Sequence, residues 1–261
     1  MVDKKKPMER SIEKTIEIDA PIESVWRALT EAEELKRWFP LDARVEPGVG
    51  GSIWMSWGVT CEGTAQIEVW EPNRHLGYVE PSTPPRRVAV DYYLETRGGK
   101  TILRLVHAGF EMKEGWDDEY ETVNSGWASF LKGLKHYLEH HAGTPRRLVW
   151  ARVDGFADRE SVWKQLLREG LKAQETLKEG DRYRFQTDGG LLFEGTVEVY
   201  RPPIHFAGSV ENLQNSFLFL EMEPGKDQYR PAIWLSTYGL PNETSEELES
   251  RLRDFLGELF K

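Results

Sequence analysis

The sequence predicts an α+β protein made of two tandem copies of one domain, each a curved antiparallel β-sheet wrapped around a long C-terminal α-helix. Three observations predict it. The chain repeats itself: Glu23-Ser24-Val25-Trp26 returns as Glu160-Ser161-Val162-Trp163, and Glu68-Val69-Trp70-Glu71-Pro72-Asn73-Arg74-His75-Leu76 returns as Glu198-Val199-Tyr200-Arg201-Pro202-Pro203-Ile204-His205-Phe206. The order is the same and the spacing similar, and self-similarity over roughly a hundred residues fits a duplicated domain, not a solenoid. Runs with a two-residue apolar period fill the middle of the first half, and each half closes on a pattern with the helical period.

Each element of the first half has a local cause. Residues 12–19, Ile-Glu-Lys-Thr-Ile-Glu-Ile-Asp, alternate as a half-buried strand does. Ala20-Pro21 ends that strand, and Pro21 opens a helix through Val25, Trp26 and Leu29. A second short helix runs from Glu31 to Trp38 and stops before Pro40. Gly48, Gly50 and Gly51 mark a turn. Strands follow at Ser52–Gly58, Gly63–Trp70, His75–Glu80, Arg86–Glu95 and Thr101–His107, with a tight hairpin at Arg97-Gly98-Gly99-Lys100. Pro81 to Pro85 punctuate the run. Asp117 or Asp118 is suited to cap the long closing helix, whose Val123, Trp127, Phe130, Leu134 and Leu138 recur on one face. A curved sheet with that helix in its concave face buries all of them.

Composition narrows the classes of function. At 261 residues, with 39% hydrophobic and 30% charged residues, the chain can build two ordinary cores. Ten Trp, nine Tyr and eleven Phe supply the large rings that line most small-molecule pockets. A net charge of -10 and the lack of a basic stripe argue against nucleic acid, and Lys4-Lys5-Lys6 reads as a solvated tail. A single cysteine, Cys61, excludes an internal disulfide and a cysteine zinc site, and nothing pairs it with a base. No N-terminal apolar leader and no 18-residue apolar run is present, so a cytoplasmic protein without a membrane partner is expected. No residue pattern calls for a cofactor.

Ile16-Glu17-Ile18-Asp19-Ala20-Pro21-Ile22-Glu23-Ser24-Val25-Trp26-Arg27-Ala28-Leu29 resembles the opening of the START-like, helix-grip superfamily, also called SRPBCC. Trp38-Phe39, Gly50-Gly51, Glu68-Val69-Trp70-Glu71-Pro72, Leu103 through Phe110, and Ser125-Gly126-Trp127 fit in the same order. Together they are similar to the branch of the activator of heat-shock-protein-90 ATPase homologue-like domains, over roughly residues 12–141. The second half is similar but degraded. Leu148 to Asp154 stands for the first strand and Asp158 to Leu167 for the first helix. Leu248, Leu252, Phe255, Leu256 and Leu259 lie on the last helix, after Thr244-Ser245. No Trp-Phe pair follows its first helix, and the stretch from Gly170 to Gly180 is short and charged. The expected plan is a disordered or extended tail at 1–11, a START-like domain at 12–143 and a second, degenerate START-like domain at 144–261.

The resemblance implies a small apolar or amphipathic molecule held between sheet and helix, but members include enzymes, carriers and protein partners. Strand phase then selects residues. Leu103, Leu105 and His107 share a face; so do Leu76, Tyr78 and Glu80; so do Val90, Tyr92 and Leu94; so do Ile53, Met55 and Trp57. The expected ligand-binding set is Trp38, Phe39, Ile53, Met55, Trp57, Tyr78, Val90, Tyr92, Leu105, His107, Val123, Trp127 and Phe130. Glu80 and His107 are the candidate acid–base pair, with a strand-end carboxylate and a backbone-bonded histidine as the plain alternative. His136 and His140, one turn apart, lack a third ligand of suitable spacing, so no metal is expected; Asp117-Asp118-Glu119 reads as a helix N-terminus. Trp54 and Trp70 fall on the outward phase, where two Trp would form a surface for the second domain, a partner protein or a second copy. Binding of a small hydrophobic or aromatic ligand leads over catalysis, because no complete catalytic constellation is visible. The alternatives are a co-chaperone acting on a heat-shock-protein-90-like ATPase, and a cyclase- or hydrolase-like acid–base enzyme for an aromatic or polyketide-like substrate.

Overall fold

The computed structural model describes residues 9–58, 61–81, 88–111, 117–225 and 228–261. Lys4-Lys5-Lys6, Ser82 to Arg87 and the side chains of Asp117, Asp118 and Glu119 lie outside the described residues. The chain divides into two compact units, Met1–Trp127 with Tyr137–Glu139, and Ala128–His136 with His140–Lys261.

The first unit opens with β1 (Glu9–Ile18), α1 (Ile22–Thr30) and α2 (Ala32–Leu35). Strands β2 (Asp42–Glu46), β3 (Ser52–Ser56), β4 (Glu62–Glu71), β5 (His75–Glu80), β6 (Val88–Arg97) and β7 (Lys100–Glu111) follow, then α3 (Asp117–His140), whose residues Ala128–His136 and His140 group with the second unit. Its antiparallel sheet has the order β1-β7-β6-β5-β4-β3-β2. Three elements depart most from expectation. Strand β1 starts at Glu9, opposite Glu111, so residues 9–11 are in the sheet and not in a tail. Helix α2 is one turn long, because the chain tightens where Trp38 and Phe39 both bond back to the Leu35 carbonyl. Strand β2 had no strong pattern to announce it: Asp-Ala-Arg-Val-Glu is a short charged edge, the composition that keeps sheet edges from pairing with other chains.

The second unit contains β8 (Arg146–Arg152), α4 (Arg159–Lys164) running into a π-helical turn at Gln165–Gly170, and β9 (Arg182–Gln186). Then come β10 (Leu192–Arg201), β11 (His205–Val210), β12 (Ser216–Gly225), β13 (Gln228–Tyr238) and α5 (Asn242–Leu259). Its order is β8-β13-β12-β11-β10-β9, one strand fewer. The core is closed by Val149, Phe185, Phe193, Phe206, Leu235, Leu252 and Leu256, all fully buried. A second apolar cluster of this unit joins Val199, Ala207, Phe217 and Phe219 to Ala128 and Phe130 of α3.

The repeat extends to hydrogen-bond register. Pairs Ser52↔Gln66 and Ser56↔Glu62 of β3–β4 recur, at one constant offset, as Arg182↔Thr196 and Gln186↔Leu192 of β9–β10. The register shifts between Ile67 and Val69, and again between Val197 and Val199. Each repeated Glu-Val-aromatic segment therefore carries a β-bulge, which turns the next side chains to the other face.

Candidate functional site

The inward rows predicted from strand phase agree with the register. Leu76, Tyr92 and Leu105 are cross-strand neighbours, as are Tyr78, Val90 and His107, and all six are buried. Opposed residues of an antiparallel pair share a face, so these rows form the floor of the concave side.

Aromatic side chains cover that floor. The Trp38 indole N–H donates to the Ala28 carbonyl at 2.8 Å, which fixes the Trp-Phe pair onto α1. Phe39 stacks on Trp38 at 4.9 Å and meets Trp57 at 5.1 Å and Trp127 at 5.8 Å. Trp127 also meets Tyr92 at 6.2 Å. Leu29, Leu35, Trp38, Phe39, Ile53, Met55, Tyr78 and Tyr92 line a void of about 10 Å³, the space of a single water. Six of these eight were expected from sequence. Leu29 and Leu35 were missed as lining, although Leu29 sits one turn after Val25 on the buried face of α1.

The void's polar groups are two phenols. Burial pushes the Tyr78 hydroxyl well above the usual tyrosine range, partly offset by its bond with Tyr92, and Glu80 raises it further. Burial pushes Tyr92 up as well, reinforced by Tyr78 and Glu80. The two hydroxyls are hydrogen-bonded to each other, and each can donate or accept in that bond. Both stay neutral at physiological pH.

His107 is buried, and the Trp127 indole N–H donates to its Nδ1 at 2.8 Å. An accepting Nδ1 puts the neutral ring's proton on Nε2. Glu80 is exposed at the end of β5, opposite Val88, while His107 stands opposite Val90. The two are two strands and one inward row apart, about 12 Å between Cα atoms from ordinary sheet spacings.

Other expected residues fall elsewhere. Val123 is half-buried on α3. Phe130 does not line the void; it packs on Phe219 at 5.8 Å in the second unit, because it lies three residues past Trp127 and one stripe around the helix. Trp70 is not on the outer face. The bulge reverses its phase, placing it opposite Leu76 and edge-on to Trp26 at 5.3 Å. Trp54 is half-buried under the Arg44 guanidinium, 4.6 Å from the ring centroid. His136 and His141 both approach the Asn215 carbonyl, with Nε2 at 2.6 and 2.8 Å. Cys61 is exposed. Among the described residues no group of three or more His, Cys, Asp or Glu side chains is placed to hold a metal ion. No described helix is long and apolar enough to cross a membrane.

Residues 19–139 match the family described as Activator of Hsp90 ATPase homolog 1-like protein. A comparison with curated proteins returned no match. Among solved structures, the chain is similar to the Aha1 dimer from Colwellia psychrerythraea, at 26% identity over 51% of this chain and 99% of that one, TM-score 0.46. It is similar to CalU16 from Micromonospora echinospora at 25% identity over 50% of this chain and 76% of that one, TM-score 0.42. It is also similar, at 17% identity over 96% of this chain and 97% of the other, to the di-domain ARO/CYC BexL from the BE-7585A biosynthetic pathway, TM-score 0.45.

Proposed function

We propose a function from one premise: residues 19–139 form a domain of the Activator of Hsp90 ATPase homolog 1-like family. The first unit binds one small apolar or aromatic molecule between its sheet and α3, and it does so as a soluble cytoplasmic carrier or sensor without chemistry of its own. The observation that carries this reading is the convergence of aromatic side chains on a void whose polar atoms are the Tyr78 and Tyr92 hydroxyls. Pockets of this kind bind through apolar walls and take orientation from a few polar groups. A neutral phenol donates, so the ligand carries an acceptor, such as a ketone or ether oxygen, that takes the proton now shared between the Tyr78 and Tyr92 hydroxyls. The ligand needs more room than the void offers, and the half-buried Met55 and Trp57 at its rim are the side chains freest to yield it.

Native mass spectrometry of the freshly purified chain, beside the denatured sample, tests the reading. One released molecule per chain is expected. In a panel of aromatic ketones followed by Trp fluorescence, Tyr92→Phe weakens the best binder about tenfold, the worth of one net hydrogen bond. A chain that is empty, and silent to every member of the panel, overturns the proposal.

The small size of the void favours a second reading, a protein partner in place of a ligand. In that case the chain acts as a co-chaperone on a heat-shock-protein-90-like ATPase and raises its turnover. Stimulation that survives Tyr92→Phe unchanged distinguishes this reading from the first.

A further inference from the structure

The second unit has an open groove of about 320 Å³ between the end of the π turn, the β9–β10 turn and the last two turns of α5. The repeat explains why it is there. The β9–β10 turn closes with Thr187 N–H on the Leu191 carbonyl at 3.0 Å, as the β3–β4 turn closes with Trp57 N–H on the Cys61 carbonyl at 2.8 Å. The shared register makes Thr187 the counterpart of Trp57. In the first unit, Trp57 meets Phe39, which is stacked on Trp38. The second unit has Thr187 in place of Trp57, and it has neither the one-turn helix nor the Trp-Phe pair. The second unit thus lacks three large rings that the first unit gathers beside its own turn.

What lines the groove is amphipathic. Its floor is the buried Leu191 with the half-buried Phe255 and Leu259. Helix α5 lies tight on the π turn because residue 170 is glycine: a Cβ there would stand 2.5 Å from Leu259 Cδ2 and 2.8 Å from Phe255 Cζ. The Gln165 side chain donates to the Leu259 carbonyl at 2.7 Å and holds the two together. The rim is acidic. Asp188 is paired with Lys172, and the Arg251 guanidinium is spent on the Gly189 carbonyl at 2.9 Å and on Glu247 at 3.6 Å. Glu169, Asp254 and Glu258 have no ion-pair partner among the described residues.

We propose that this groove is a binding site for a small amphipathic cation, a protonated amine carried on an aromatic or branched aliphatic body. The body lies on Leu191, Phe255 and Leu259, and the ammonium faces Asp254, Glu258 and Glu169. The volume sits at the lower end of the range for small-molecule sites, which fits one ring and a short amine arm. The net acidic rim favours a cation over an anion or a neutral molecule.

The test uses the full chain, uniformly ¹⁵N-labelled, titrated at low salt with 2-phenylethylammonium and with its neutral isostere 2-phenylethanol. Amide shifts are expected at residues 169–170, 187–191 and 251–259, with the amine binding about fivefold or more tighter than the alcohol, the worth of a partly screened charge pair. The surface variant Asp254→Asn/Glu258→Gln is expected to bring the amine down to the level of the alcohol. Thr187→Trp, which restores the ring found in the first unit, is expected to abolish binding of both. Equal affinity for amine and alcohol, or shifts confined to residues of the first unit, overturns the proposal; the latter outcome bears on the first unit's own ligand site instead.

Discussion

At the scale of single residues, His107 and Trp127 show how a side chain that looks catalytic is tied into the core. The imidazole faces the concave side, as its strand phase requires, but its Nδ1 accepts the Trp127 indole proton and its ring packs on Phe110 at 4.7 Å. A base that must first give up a buried hydrogen bond is poorly placed to take a proton from a ligand. The pair is expected to contribute to stability. Trp127→Phe is expected to cost about 2 kcal/mol, the sum of a lost buried bond and a small cavity. In a His107→Leu background the same change is expected to cost about 1 kcal/mol less, because the accepting nitrogen is gone. Urea denaturation followed by circular dichroism measures both. Equal costs in the two backgrounds would falsify the coupling.

Among elements, the strands and long helices were legible because their periods are strong, and the inward rows followed from them. Trp70 was not legible. A period-two reading carries the phase straight through Glu68, whereas the bulge there adds a residue and reverses everything after it. The clue was present in the repeat itself, since the same segment bulges at Val197/Val199. Strand β2 escaped because Ala43 and Val45 are too short an apolar pattern, and Phe130 because a helical stripe cannot say which sheet it meets. Nor does a helix pattern show what its last turn holds. Gln214 and Asn215 both adopt left-handed backbone, at φ 52° and 54°, in the β11–β12 connection. The Asn215 carbonyl is gripped there by His136 and His141, and His141 stacks on Tyr238 at 4.2 Å. Burial lowers the His141 pKa below its ordinary 6.5, with His140 adding to the effect and the bond to Asn215 opposing it. The unfolded chain then binds a proton at a pH where the folded chain does not. Stability from His141 is present above pH 6.5 and is lost as the pH falls through 6.5 toward the lower folded value. Thermal melts of the native chain and His141→Gln between about pH 7.5 and 5.5, a window that brackets the ordinary imidazole range, check this. The native chain's advantage is expected to shrink as the pH falls, and an advantage that stays constant rules the account out.

For the whole molecule, the sequence repeat and the packing units do not share a boundary. The repeat places its division near Thr144-Pro145, whereas Ala128–His136 pack as part of the second unit. Within that unit Ala128 and Phe130 cover Val199, Ala207, Phe217 and Phe219. Lys132 adds an ion pair to Glu198 at 2.8 Å, which is half-exposed and worth little by itself. The apolar cover matters more. A fragment of residues 144–261 retains every strand of its sheet but leaves two phenylalanines and two aliphatic side chains facing water. At about 25 cal/mol per Å², uncovering two aromatic faces costs several kcal/mol, a large part of a domain's net stability. The expected result is a fragment that binds a hydrophobic dye and self-associates in analytical ultracentrifugation, while a fragment of residues 124–261 does so less. Equal dye binding and equal sedimentation of the two fragments would mean that the helix segment contributes nothing to the second unit's fold. The same experiment separates inheritance from packing: duplication set the order of the strands, and the burial of Phe217 and Phe219 decided which stretch of helix the second copy needs.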